Sequence, residues 1–279
     1  MTSAANSPAR PPADLHQLKD RAQALRLMGL LAHWDAVQGD TARLAWTGDL
    51  LGWEESERAR RSLERRLRSA HIGRFKPLAD FDRDWPKQCD RMAVQELMTL
   101  SFMADATNVV LVGHGPRRGP CGIPGVGKSM LACNLGHQAL IEGKTVLLTT
   151  AGQLLGDLAA LDSDSTPRRR IRHYAAPDLL LIDEVGYLSY SNRHADLLFE
   201  LISRRYEHKS TVITTNRAFK EWSEVFPNAA CTVSLIDRLV HRCKVVAIEG
   251  ESYRLKEATA RAEQKAALRR ATRTKPGKP

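Results

Sequence analysis

No apolar run in this chain approaches the ~20 residues that a membrane-spanning helix needs, so a spanning segment is not expected. The N-terminal stretch MTSAANSPARPPADLH has no apolar core and does not read as a secretory signal. Cysteine is sparse and scattered: Cys89, Cys121, Cys133, Cys231 and Cys243 form no CxxC pair and no zinc-ligand spacing. Five unpaired positions argue against a disulfide framework and for reduced thiols, so a cytoplasmic protein is expected. There is no internal repeat and no base-reading motif.

What is present is basic. The 279 residues are 43% hydrophobic and 27% charged, enough for one large α/β domain and a smaller accessory one. The formal net charge of +10 favours polyanionic partners, and nucleic acid fits better than a membrane surface. The last 24 residues, Lys256 to Pro279, hold eight Lys/Arg against two Glu, so more than half of the excess charge sits there.

Four stretches of different texture follow one another. Residues 1–12 are Pro- and Ser-rich and are expected to be disordered. Residues 13–76 are expected to form a helical DNA- or partner-binding domain. Leu15, Leu18, Ala22 and Leu25 recur at helical spacing there, and Trp53 to Ala70 reads as the clearest helix. Residues 77–256 change to short aliphatic runs alternating with helices. NVVLVG (108–113), TVLLTT (145–150), LLLIDE (179–184) and TVITTN (211–216) are apolar on both faces, as central strands of a parallel sheet are. The alternation predicts a doubly wound α/β core. Residues 257–279 form a basic tail, a second candidate for phosphate contact and expected to be helical up to Ala271.

The sharpest local signal is Gly122-Ile123-Pro124-Gly125-Val126-Gly127-Lys128-Ser129, which fits the phosphate-loop pattern G-x4-G-K-[ST]. Gly122, Gly125 and Gly127 let the backbone curl so that successive N–H groups face phosphate oxygens. Pro124 and Val126 lie within the loop, and Met130 is in the first turn of the helix that adds its N-terminal dipole. Lys128 suits the β and γ phosphates of ATP, and the Ser129 hydroxyl suits Mg2+. Lying 55 residues after the lysine, DLLLIDE carries Asp183 to a strand end, where it can hold Mg2+ through water. Glu184 is then placed to activate the attacking water. TVITTN ends in Asn216, whose amide can orient that water or sense the γ-phosphate; alone, it reads as a turn former. In LIDRLVHR, Arg238 and Arg242 lie four apart on one helix face, the spacing of either an arginine finger or a solvated face.

Arg58, Arg61, Arg65 and Arg68 form one stripe along the helix from Trp53 to Ala70, with Ala59, Leu63, Leu67 and Ala70 roughly opposite. The arginine row can track the phosphates of duplex DNA. An equal alternative is a solvated face paired with Glu54, Glu55, Glu57 and Glu64 at i, i+4 spacing. Any DNA binding by this row or by the basic tail should be sequence-independent and salt-sensitive.

The set FDRDWPKQCDR, NVVLVG with PGVGKSMLA, DLLLIDEVGYL, LLFELISRRYEHKSTVITTN, FKEWSEVF, LIDRLVHR and IEGESYRL closely resembles the IstB-like ATP-binding proteins, over about residues 14–256. That family comprises AAA+ helpers of insertion-sequence transposition, related to DnaC-type helicase loaders and more distantly to DnaA initiators. The resemblance implies an AAA+ P-loop fold with a small N-terminal helical domain, ATP hydrolysis, and oligomers joined through arginine fingers. It also implies DNA binding and a transposase partner. By position in it, Asn216 is the sensor, Arg242 the arginine finger and Arg254 a late nucleotide-side arginine. A helicase loader is the alternative reading. One departure stands out: HGPRRGPCG (His114 to Gly122) intervenes where the family's strand runs directly into its phosphate loop. A tolerated outward bulge is expected, since lengthening a loop costs little entropy. The contrary reading is a displaced loop and a DNA-binding scaffold with impaired catalysis.

Overall fold

A computed structural model describes residues 14–80, 86–114, 125–160, 166–187, 190–226, 229–250 and 252–273. The N-terminal stretch expected to be disordered therefore lies outside the described residues. The chain divides into two compact units, Met1–Arg65 and Arg66–Pro279.

In the first unit, α1 (Leu15–Ala24), α2 (Met28–Ala32), α3 (Trp34–Gln38) and the start of α4 (Thr41–Ala70) follow one another. Asp14 caps α1 by accepting the His16 amide. Leu18, Ala22 and Leu25, three apolar positions of the expected helical pattern, pack with Trp34 and Leu51 into a small core. The Arg21 fork donates two 2.8 Å bonds to Glu55, tying α1 to α4, and those bonds hold the Glu55 carboxyl below the ordinary range.

The helix expected from Trp53 thus begins at Thr41. Its arginine stripe is exposed, but the opposite stripe is not a packing face: Ala59 and Leu67 are exposed and only Ala70 is buried. The buried positions of α4 are Thr47, Leu51 and Ala70.

In the second unit, β1 (Pro86–Cys89), α5 (Arg91–Met98) and β2 (Asn108–His114) precede the phosphate loop. Then come α6 (Lys128–Ile141), β3 (Val146–Thr150), α7 (Ala151–Ala159), α8 (Thr166–Ala175), β4 (Leu179–Val185) and α9 (Asn192–Arg205). The unit ends with β5 (Ser210–Thr215), α10 (Trp222–Val225), α11 (Ala229–His241), β6 (Cys243–Gly250) and α12 (Tyr253–Arg273). The sheet order is β1-β6-β2-β5-β4-β3. The run from β6 to β3 is parallel, and β1 alone pairs antiparallel, at the β6 edge.

The four expected strands are all central or parallel members of this sheet. The expected α/β core is therefore present, with β1 and β6 added to it. Helices cover both faces. Leu181 and Val146 approach Gly136 of α6, whereas Leu180, Ile182 and Ile213 pack with Leu154, Leu198 and Leu235 of α7, α9 and α11. The stretch expected as a tail after residue 256 is helical through Arg273.

Candidate functional site

Parallel strands leave their carboxyl ends on one side of a sheet, and that is where the motifs meet. Gly125 and Gly127 both take positive φ, 93° and 103°, so the loop curls into α6, whose first residue is Lys128. Val126 is buried and Met130 half-buried beside them. Gly122 and Pro124 lie outside the described residues, as does most of the 114–122 insertion.

The end of β2 nevertheless lies against the second half of the loop. A Cβ on Gly113 would collide with Lys128 Nζ and come within 3.1 Å of Val126 Cγ2. Gly113 is thus a site residue that motif reading passed over. Its signal was a glycine at the end of an apolar strand, where a close approach to a neighbouring group is common.

Lys128 is 5% exposed. Its Nζ donates to Asn216 Oδ1, and the Asn216 amide nitrogen donates to the Tyr187 hydroxyl. Burial pulls the Lys128 ammonium down to about 8, partly offset by the Asp183 carboxylate and reinforced by Arg254. A buried cation whose direct partner is a neutral amide is suited to an anionic ligand.

The Ser129 hydroxyl donates to Asp183 Oδ1 at 2.9 Å. Asp183, two residues after Leu181 on β4, shares its face toward α6, as the expected Mg2+ pair requires. These two side chains offer only oxygen, the donor set that suits Mg2+. The loop, the buried ammonium and the oxygen pair together fit a magnesium-bound nucleotide.

Glu184 departs from simple strand geometry. Ile182 pairs with Ile213 and Val185 with Thr215, so Asp183 and Glu184 together oppose the single Thr214. At this bulge Glu184 takes φ 64°. For a residue with a side chain that conformation costs roughly 1–3 kcal/mol and persists only where its surroundings enforce it. The Glu184 amide donates to Thr214 Oγ1 at 3.0 Å, and the Thr214 hydroxyl donates to Asp183 Oδ1. Thr214 carried a readable signal, lying two residues before Asn216 and hence on the same strand face.

The remaining arginines sort by contact. Arg238 lies 4.4 Å over the Phe199 ring and donates to the Ser203 hydroxyl, so it belongs to the α9–α11 packing. Arg242 is exposed and makes one 3.3 Å bond to the Asp105 carbonyl. The segment carrying Arg254 sits beside the loop: the Tyr253 amide donates to the Gly125 carbonyl at 2.9 Å. On α4, Arg58 pairs with Glu54 at 3.3 Å and Arg61 with Glu57 at 2.6 Å. Arg58 and Arg61 therefore have acidic partners of the alternative reading. All four arginines of the row remain exposed, and exposed pairs of this kind hold weakly. On α8, Arg168, Arg169, Arg170 and Arg172 are exposed without an ion pair among the described residues. The sequence reading did not single them out, although TPRRRIRHYA is a visible basic cluster.

The likeness to known proteins agrees with this geometry. An insertion sequence IS21 ATP-binding protein of Pseudomonas aeruginosa is 35% identical over 73% of this chain and 74% of its own length. An IS5376 counterpart from Geobacillus stearothermophilus is 32% identical, over 75% of this chain and 79% of the relative. The solved structure of DnaI aligns over 63% of this chain and 92% of its own, with a TM-score of 0.50 at 18% identity, a likeness of fold. The family model described as IstB-like ATP binding protein matches residues 20–261. With a phosphate loop on a mostly parallel α/β sheet and a family match across most of its length, this chain belongs to the IstB-like ATP-binding proteins.

Proposed function

We propose that this chain hydrolyses ATP, binds duplex DNA and assists a transposase in choosing or delivering target DNA, acting in the cytoplasm. Hydrolysis is supported above all by one observation: Lys128 and Ser129 of α6, Asp183 and Glu184 of β4, and Asn216 after β5 converge at the strand ends. In this reading Lys128 binds the β and γ phosphates, and Gly122, Pro124, Gly125, Val126, Gly127 and Met130 form the cradle around them. Ser129 and Asp183 hold Mg2+, which supplies neutralising charge. Glu184 takes the proton of the attacking water, and Asn216 orients that water. The transposase partner is supported by the insertion sequences named for the relatives. The deciding measurement is ATP hydrolysis by the purified chain with and without duplex DNA. Turnover that responds to DNA is expected. ATP binding without turnover in either condition would favour the scaffold reading.

Self-assembly through arginine fingers is supported by the exposure of Arg242, in contrast to Arg238, which is held in the α9–α11 packing. Arg242→Ala should hydrolyse ATP poorly, because its neighbour's nucleotide loses the finger. Mixing it with Glu184→Gln subunits should partly restore turnover, since an intact Glu184 site can then meet an intact Arg242. No rescue at any ratio, with mixed assemblies verified, would count against action across subunits.

DNA contact is supported by two exposed basic helix faces, Arg58, Arg61, Arg65 and Arg68 on α4 and Arg168, Arg169 and Arg172 on α8. Each lost phosphate contact should reduce the slope of log affinity against log salt by about 0.9. Changing Arg168, Arg169 and Arg172 to alanine should therefore flatten that slope by about 2–3 and weaken all duplex sequences alike. An unchanged slope would remove α8 from the DNA-binding surface; the α4 set is tested in the same way.

A further inference from the structure

We infer that Thr214 is a positioning residue for turnover, using both hydrogen-bonding capacities of its one hydroxyl to hold Asp183 and Glu184 in their relative places. The inference rests on the ATPase reading. At the bulge, two residues of β4 face Thr214 alone, so the ladder between β4 and β5 is interrupted where the acidic pair begins. The Glu184 amide, displaced from the ladder, donates to Thr214 Oγ1 at 3.0 Å. The Thr214 proton goes to Asp183 Oδ1, the same oxygen that accepts from Ser129 at 2.9 Å.

Thr214 is 2% exposed, so water does not readily replace either bond. A hydroxyl that accepts from one residue and donates to its neighbour sets their relative orientation, which a purely apolar side chain of the same shape cannot do. Glu184 sits at φ 64°, a conformation that needs such enforcement. Asn216, two residues further along the same face, meets Lys128. One edge of β5 thus contacts both the acidic pair and the phosphate-binding lysine.

The test compares Thr214→Val, which keeps the shape and loses both bonds, with Thr214→Ser, which keeps the hydroxyl. Thr214→Val should bind ATP within about threefold of wild type and turn over at least about tenfold more slowly, since ~1 Å of misplacement at a catalytic group can cost about 10²-fold. Thr214→Ser should restore most of the rate. Hydrogen exchange at the Glu184 amide reads the contact independently of turnover: it should speed up in Thr214→Val and stay slow in Thr214→Ser. Wild-type turnover in Thr214→Val, equal losses in both variants, or unchanged exchange would each overturn the inference. A wild-type chain that binds ATP without hydrolysing it would overturn the ATPase reading and, with it, any service of Thr214 to turnover; the exchange data would still judge the contact itself.

Discussion

Lys128→Ala should weaken ATP binding by more than about a hundredfold, while Glu184→Gln should leave binding nearly intact and slow turnover by about a hundredfold or more. The two residues separate because they meet the reaction at different stages. Lys128 is a buried cation held against Asn216, and in the proposed function its charge meets the phosphates in the ground state and the transition state alike. Glu184 lies on the bulge after Asp183, and in the proposed function its carboxylate acts only on the attacking water. Titration of a fluorescent ATP analogue and steady-state phosphate release separate the two effects. Wild-type turnover by Glu184→Gln would remove Glu184 from the catalytic role, and wild-type affinity in Lys128→Ala would remove Lys128 from the phosphate site.

Arg205→Ala should lower stability by about 3 kcal/mol or more, because it leaves several buried carbonyls without a donor at roughly 1–3 kcal/mol each. Arg205 is 1% exposed at the end of α9. Its fork donates to the carbonyls of Ala175 at 3.0 Å, Pro177 at 2.8 Å and Ser210 at 2.5 Å, and to the Thr211 hydroxyl at 3.0 Å. It thereby ties the chain entering β4 to the start of β5, at the end of the sheet remote from the nucleotide site. Burial pulls its guanidinium down to about 10, partly offset by the Asp178 carboxylate. Alanine would leave those carbonyls buried without donors. The adjacent Arg204 provides the control: it makes an exposed 2.7 Å pair with Glu200, and its loss should cost ~0.5 kcal/mol or less. Denaturant unfolding of both variants measures the contrast. Equal stabilities would mean that the Arg205 bonds contribute nothing net.

Arg205 also shows where sequence reading stopped short. Ala195, Leu198, Ile202 and Arg205 lie on one helical face, so the phase of α9 already placed this arginine with the core. The strand β6 escaped for a different reason. Its buried positions Val246 and Ile248 alternate with exposed Val245 and Ala247, unlike the continuous apolar runs by which the central strands were recognised. Burial beneath helices on both faces makes a strand easy to read, whereas β6, with only β1 between it and the sheet edge, gives a mixed pattern.

The α/β class, the order of the phosphate loop and acidic strand, and three core positions of the first helical unit, Leu18, Ala22 and Leu25, were legible in the sequence. Each of these is a local pattern: a glycine spacing, an apolar run with a charged end, or a helical period. Tertiary packing alone reveals that Gly113 lies against the Lys128 ammonium, that Arg238 rather than Arg242 packs on Phe199, and that Asp183 and Glu184 share Thr214. Those outcomes depend on the register between strands and on which distant side chains meet. Asp183 and Thr214 lie 31 residues apart, and no periodicity within either segment encodes a one-residue bulge between them.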